Sequence, residues 1–97
     1  MRMMLKTRIP AAKGSQTLKD GSMQKVIEET IAKLKPEAAY FAIQDGQRCA
    51  FFFFEMSDTS DVVSVCEPMW MNFDAEVELT PVMNADDLAA GLQKAFG

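Results

Sequence analysis

The sequence predicts an α+β domain, a four-stranded antiparallel sheet with its main helices on one side. Three observations predict it. Asp45-Gly46 joins two strand-like runs, Ala38 to Gln44 and Gln47 to Met56, the strongest short-range hairpin signal. Two stretches, opening at Met23 and at Ser57, repeat apolar residues at the three-four spacing of a buried helix face. Phe73 to Thr80 alternates apolar and polar residues strictly, as a half-buried strand does.

In chain order, Met3 to Ile9 alternates weakly and stops at Pro10, which lacks an N–H, so it reads as the first strand. Residues 11–22 hold Gly14, Ser15, Asp20, Gly21 and Ser22 and read as a connector with at most a helical turn near Leu18. Met23, Val26, Ile27, Thr30, Ile31 and Leu34 make the stripe of the first main helix, with Ser22 as N-cap and Pro36 as its stop. A two-residue hairpin turn fixes the register that follows, so opposed residues have numbers summing to 91. Ala39, Phe41, Ile43, Phe52 and Arg48 then share one face, and Tyr40, Ala42, Cys49 and Phe51 the other. Ser57 to Ser60 opens the second helix, whose stripe is read as Val62, Val63, Cys66, Met69 and Trp70, with Pro68 expected to kink or shorten it. The alternating strand after it ends at Pro81, which favours a sheet edge. Asn84 caps a final helix carrying Leu88, Leu92 and Phe96 on one side. Two βα units around a hairpin make the ferredoxin-like βαββαβ arrangement with an extra C-terminal helix, strand order 4-1-3-2. All 97 residues fit that single domain, without repeat or linker.

Composition narrows the chemistry. The chain has no histidine, which removes imidazole metal and haem ligation and His-dependent nucleophile systems. Neither a metal site nor a cofactor is expected. Net charge is −4 with the signs interspersed, so no basic stripe points to nucleic acid. No apolar run approaches a membrane span. Cys49 and Cys66 make no C-x-x-C pair and read as buried free thiols of a cytoplasmic protein.

The third strand, Cys49-Ala50-Phe51-Phe52-Phe53-Phe54-Glu55, is apolar on both faces, as a strand buried on both faces is. Two helices cover only one side of the sheet. With Phe52 and Phe54 under the helices, Phe51, Phe53 and Tyr40 point outward, joined by Met4, Lys6 and Arg8 and, from the last strand, Glu76 and Glu78. Full burial of one Phe contributes roughly 1.5–3 kcal/mol, so this face predicts pairing with a second copy through Met4, Phe51, Phe53, Glu76 and Glu78. A ligand between the sheets would meet Arg8, Tyr40, Phe51, Phe53 and Glu55. If Glu76 and Glu78 pair fully with Lys6 and Arg8, the face is structural. If Arg8 is left over, it is the natural anchor for a carboxylate or phenolate on an apolar ligand.

With that element order, and with Asp74-Ala75-Glu76-Val77-Glu78-Leu79-Thr80-Pro81-Val82 ahead of a short acidic helix, the chain resembles the dimeric α/β-barrel superfamily. That group includes cofactor-independent monooxygenases, muconolactone isomerases and small bacterial families of unknown function. The resemblance implies a homodimer whose packed sheets make a barrel. Members that hold aromatic substrates with Trp, Asn, Tyr and Arg suggest Trp70, Asn72, Tyr40 and Arg8 for that part, although Trp70 also suits the helix stripe and Asn72 the helix end. Three functions stay open: a dimer binding a small hydrophobic or aromatic ligand, a cofactor-free enzyme, and a structural dimerisation module.

Overall fold

The computed structural model describes residues 1–97. Its elements are β1 (Arg2–Ile9), α1 (Ala11–Lys19), α2 (Ser22–Leu34), β2 (Ala38–Gln44), β3 (Gln47–Glu55), α3 (Asp61–Phe73), β4 (Glu76–Pro81) and α4 (Ala85–Phe96). The four strands form one antiparallel sheet in the order β2-β3-β1-β4, which reads 4-1-3-2 from the β4 edge. No helix is long and apolar enough to cross a membrane.

The hairpin turn sets the sheet. Asp45 and Gly46 both take positive φ, 52° and 76°, the pair of left-handed residues that a type I′ turn requires. Pairing then runs Gln44 to Gln47, Ile43 to Arg48, Phe41 to Ala50, Tyr40 to Phe51 and Ala39 to Phe52. Along β1, Met3, Leu5, Thr7 and Ile9 are buried while the alternate residues are half-exposed, the period-two signature of one covered face. Leu5, Phe52, Met69 and Phe73 are the centre of the core, joined by Met3, Phe54, Val65 and Cys66.

Several expectations are corrected. The expected connector at 11–22 is instead a nine-residue helix, α1. Pro10 precedes its first residue, where a missing N–H costs nothing. Gly14 lies within it where the Arg48 side chain crosses the helix: a Cβ at 14 would stand 2.7 Å from the Arg48 Nη1. Ser22 is the first residue of α2 and not its cap. The carboxylate of Asp20 accepts hydrogen bonds from the Ser22 N and Oγ, at 2.8 and 2.6 Å. The buried stripe of α3 is Val65, Cys66, Met69 and Phe73, so Val62, Val63 and Trp70 lie outside it and Trp70 is 43% exposed. Phe73 ends α3, and Asp74 leaves it with φ 51°, so β4 starts only at Glu76.

Pro68 does not break α3, which runs unbroken from Asp61 to Phe73. A proline deletes the bond its N–H would donate to the carbonyl four residues earlier, here that of Ser64. Lys33 Nζ, from α2, donates to the Ser64 carbonyl oxygen. The deficit in one helix is met by the side chain of another.

α4 differs from every other element. Asn84 caps it in a reciprocal capping box, with Asp87 N donating to Asn84 Oδ1 at 2.8 Å and Asn84 N to Asp87 Oδ2 at 3.1 Å. Yet every residue from Ala85 to Gly97 is exposed. Its tie to the sheet is the ion pair of Arg2 with Asp87, 2.6 Å. The radius of gyration is 15.2 Å and the long axis 54 Å, against ~12.5 Å expected for a compact chain of this length. α4 projects from the domain.

Candidate functional site

The residues expected to meet a ligand between the sheets or to pair two copies, Met4, Arg8, Tyr40, Phe51, Phe53, Glu55, Glu76 and Glu78, all fall on the sheet face that carries no helix. The β1–β3 register sets Arg8 beside Cys49, Lys6 beside Phe51 and Met4 beside Phe53. The β1–β4 register sets Arg8 beside Glu76 and Lys6 beside Glu78. Phe51 and Phe53 are half-buried and Tyr40 is 63% exposed. Tyr40 meets Phe53 edge to face at 6.4 Å, and Lys6 Nζ stands 5.9 Å from the Phe51 ring centre.

The charges of this face are matched within the chain. Arg8 Nε donates to Glu76 Oε2 at 2.7 Å, and its Nη1 pairs with Asp45. Lys6 Nζ lies 3.5 Å from Glu78 Oε2. The hydrogen bond that the Glu76 carboxylate accepts from Arg8 holds the Arg8 pKa above its ordinary value. Among Lys6, Arg8, Glu76 and Glu78 is a cleft of about 130 Å³, below the ~300–1,000 Å³ usual for a small-molecule site. Glu55 faces the same way but at the opposite end, pairing with the Met1 amino group. Arg8 sits at the Cys49 register and Glu55 at the Arg2 register, six residues along the strands and so roughly 20 Å apart. One small ligand does not touch both.

Trp70 and Asn72 belong to α3, on the far side of the sheet from Tyr40 and Arg8, and the four do not converge within one chain. Asn72 Nδ2 donates to the Pro68 carbonyl at 2.7 Å. No three Cys, Asp or Glu side chains are grouped so as to hold a metal ion. Cys49 and Cys66 are free and buried, and burial raises both thiol pKa values, opposed at Cys49 by Lys6 and Arg8.

The large apolar concavity lies on the helix side instead. A groove of about 650 Å³ opens between β2–β3 and α1–α2, lined by Leu18, Met23, Ile27, Phe41 and Ile43, with Arg48 and Glu28 as its charged groups. It exists because α2 packs Val26 and Thr30 over the middle of the sheet and stops short of the edge strand. Phe41 and Ile43, on the helix-facing side of β2, are left 60% and 72% exposed. Phe41 is held by an edge-to-face contact with Phe52, 6.0 Å between ring centres.

Arg48 is the arginine without a carboxylate. Arg2 pairs with Glu37 and Asp87, and Arg8 with Glu76 and Asp45. Arg48 reaches only the Ala11 carbonyl and Ser15 Oγ, both at 3.4 Å. The sequence signal for it was present: Ile43 opposes Arg48 in the hairpin register, so an arginine had to share the apolar face. No family model, no curated protein and no solved structure matches the chain.

Proposed function

We propose that this protein is a cytoplasmic homodimer of the ferredoxin-like, dimeric α/β-barrel kind that binds a small, mostly apolar molecule carrying one acidic group. The observation that carries the reading is the groove of about 650 Å³ with an uncommitted arginine at its end. Ligand sites are concave, mostly apolar and supplied with a few polar groups that fix orientation, and a planar guanidinium is suited to a carboxylate. The reading moves the ligand from between two sheets to the helix side of each, since Arg8 is already paired. Pairing of copies rests on the bare sheet face, where Phe51, Phe53 and Met4 remain half-buried and Tyr40 exposed. The Lys6–Glu78 and Arg8–Glu76 pairs leave that face with its charges matched, so a second copy can cover it without stranding an unpaired charge. Two free buried thiols suit a reducing compartment.

The test is titration with 1-naphthoate, followed by amide NMR. Shifts should cluster at Leu18, Met23, Ile27, Phe41 and Arg48. Arg48→Met keeps the apolar stem and removes the charge, and should weaken binding by roughly tenfold, the low end for a charge-assisted bond at a partly exposed site. Binding of 1-naphthalenemethanol should be unaffected by that substitution. Shifts confined to Lys6, Arg8 and Tyr40, or none, would overturn the assignment.

A further inference from the structure

Gly14 sits inside α1 with an ordinary helical backbone, since it is not among the glycines with positive φ. Glycine within a helix is unfavourable relative to alanine, and α1 is short, with only Gly14 and Thr17 buried. The space of the absent side chain is taken by Arg48 of β3. A Cβ at position 14 would stand 2.7 Å from Arg48 Nη1 and 3.4 Å from Arg48 Cδ. The first distance is well inside van der Waals contact, so an alanine at 14 and Arg48 in its present place exclude each other.

The seat holds the guanidinium without neutralising it. Arg48 Nη1 donates to the Ala11 carbonyl oxygen and Nη2 to Ser15 Oγ, both at 3.4 Å. These bonds are long for N–H···O contacts, and neither acceptor carries a charge. α1, Ala-Ala-Lys-Gly-Ser-Gln-Thr-Leu-Lys, has lysines as its only charged residues. Glu28, the carboxylate that lines the same groove, makes no ion pair with Arg48. A guanidinium has five N–H donors, so two contacts with α1 leave three for another partner.

A mobile arginine gives up rotamer freedom when it grips a carboxylate, and one already held gives up less. We infer that Gly14 and Ser15 are positioning residues, which fix the Arg48 guanidinium at the end of the groove for the acidic group of the ligand. Gly14 acts only through Arg48, by leaving room for it; Ser15 acts by accepting one of its N–H groups. This role rests on the groove being a ligand site. It adds the source of that site's preference for an acid over a neutral molecule of the same shape.

The test is Gly14→Ala in the full-length chain, with 1-naphthoate and 1-naphthalenemethanol as probes. What must give way to the new methyl is the far end of a flexible side chain. The urea midpoint should therefore be unchanged or higher, since alanine favours the helix. Affinity for 1-naphthoate should fall about fivefold, the scale of immobilising one rotamer-rich side chain, and affinity for the alcohol should stay the same. Ser15→Ala should lower the preference for the acid in the same direction, by about twofold, as loss of one weak hydrogen bond does. The Arg48 Nε–H group, followed by its heteronuclear NOE, should be ordered in the unliganded wild type and mobile in Gly14→Ala. Binding of both probes with an unaltered preference in Gly14→Ala overturns the positioning role and leaves the groove assignment standing. A stronger preference for the acid also overturns it, because α1 would then compete with the ligand for Arg48. So does a mobile Arg48 in the wild type. If the wild type binds neither probe, the groove reading falls and the positioning role falls with it.

Discussion

Thr7 is 1% exposed and its Oγ1 has no hydrogen-bond partner. It sits between Ala50 of β3 and Val77 of β4 on the helix-facing side of β1, a position the alternation of β1 assigns to an apolar side chain. A desolvated hydroxyl without a partner costs about 1–3 kcal/mol. Thr7→Val keeps the shape and should stabilise the fold by about 1 kcal/mol in urea unfolding. A loss of stability would show that the hydroxyl is satisfied in solution. At this scale the sequence is legible where backbone chemistry allows one answer. Asp45-Gly46 specified the turn, and the register followed residue by residue. It is less legible where apolar residues stand on both flanks of a stripe: Val62, Val63 and Trp70 are as apolar as Val65 and Phe73, and only packing against the sheet chooses between the two phases. Arg8 illustrates a third case. Its partner Glu76 was foreseeable from strand order, but the Asp45 contact comes from the neighbouring hairpin tip and follows only from three-dimensional proximity.

Among elements, α3 and α2 are linked by the Lys33 ammonium on the carbonyl that Pro68 leaves without a donor. The bond is exposed, so its worth lies near the low end for a charged hydrogen bond, about 0.5–1 kcal/mol. Lys33→Met should cost that much in wild-type protein and close to nothing when Pro68→Ala has restored the native donor. A double-mutant cycle of urea midpoints measures the coupling, and purely additive effects would mean the contact is idle. Pro68 by itself predicts a kink, and the sequence offers no means of seeing that a lysine 35 positions earlier removes the need for one. α1 was hidden for a related reason. Gly14, Ser15, Asp20 and Gly21 look like linker composition, and the helix is held by packing of Thr17 and by the Arg48 side chain lying over Gly14. The groove inherits part of this opacity, since Leu18 of α1 joins Met23 and Ile27 of α2 in walling it against the exposed part of β2.

For the whole molecule, helices lie over one sheet face and leave the other bare. Phe53 stands at its middle, half-buried beside Tyr40 and Met4. Phe53→Asp places a charge without a counterpart in the proposed contact between faces, and native mass spectrometry at low micromolar concentration is expected to find dimer for the wild type and monomer for the variant. An unaltered dimer would locate the sheet contact elsewhere. The two margins of the sheet differ in a further way. β4 is defended as an outer strand, with Glu76, Glu78 and Pro81 facing any newcomer. β2 is Ala-Ala-Tyr-Phe-Ala-Ile-Gln, seven residues without charge, proline or glycine, the composition of a segment prone to cross-β stacking. Its unpaired backbone groups are an open template. We expect the chain to fibrillate from that margin when partly destabilised, with thioflavin-positive growth suppressed by Ile43→Lys and unaffected by Glu78→Gln; growth insensitive to the β2 substitution would place the nucleus elsewhere. On the proposed reading, in which a ligand sits in the groove beside this margin, occupancy of the groove is also protection against self-templating.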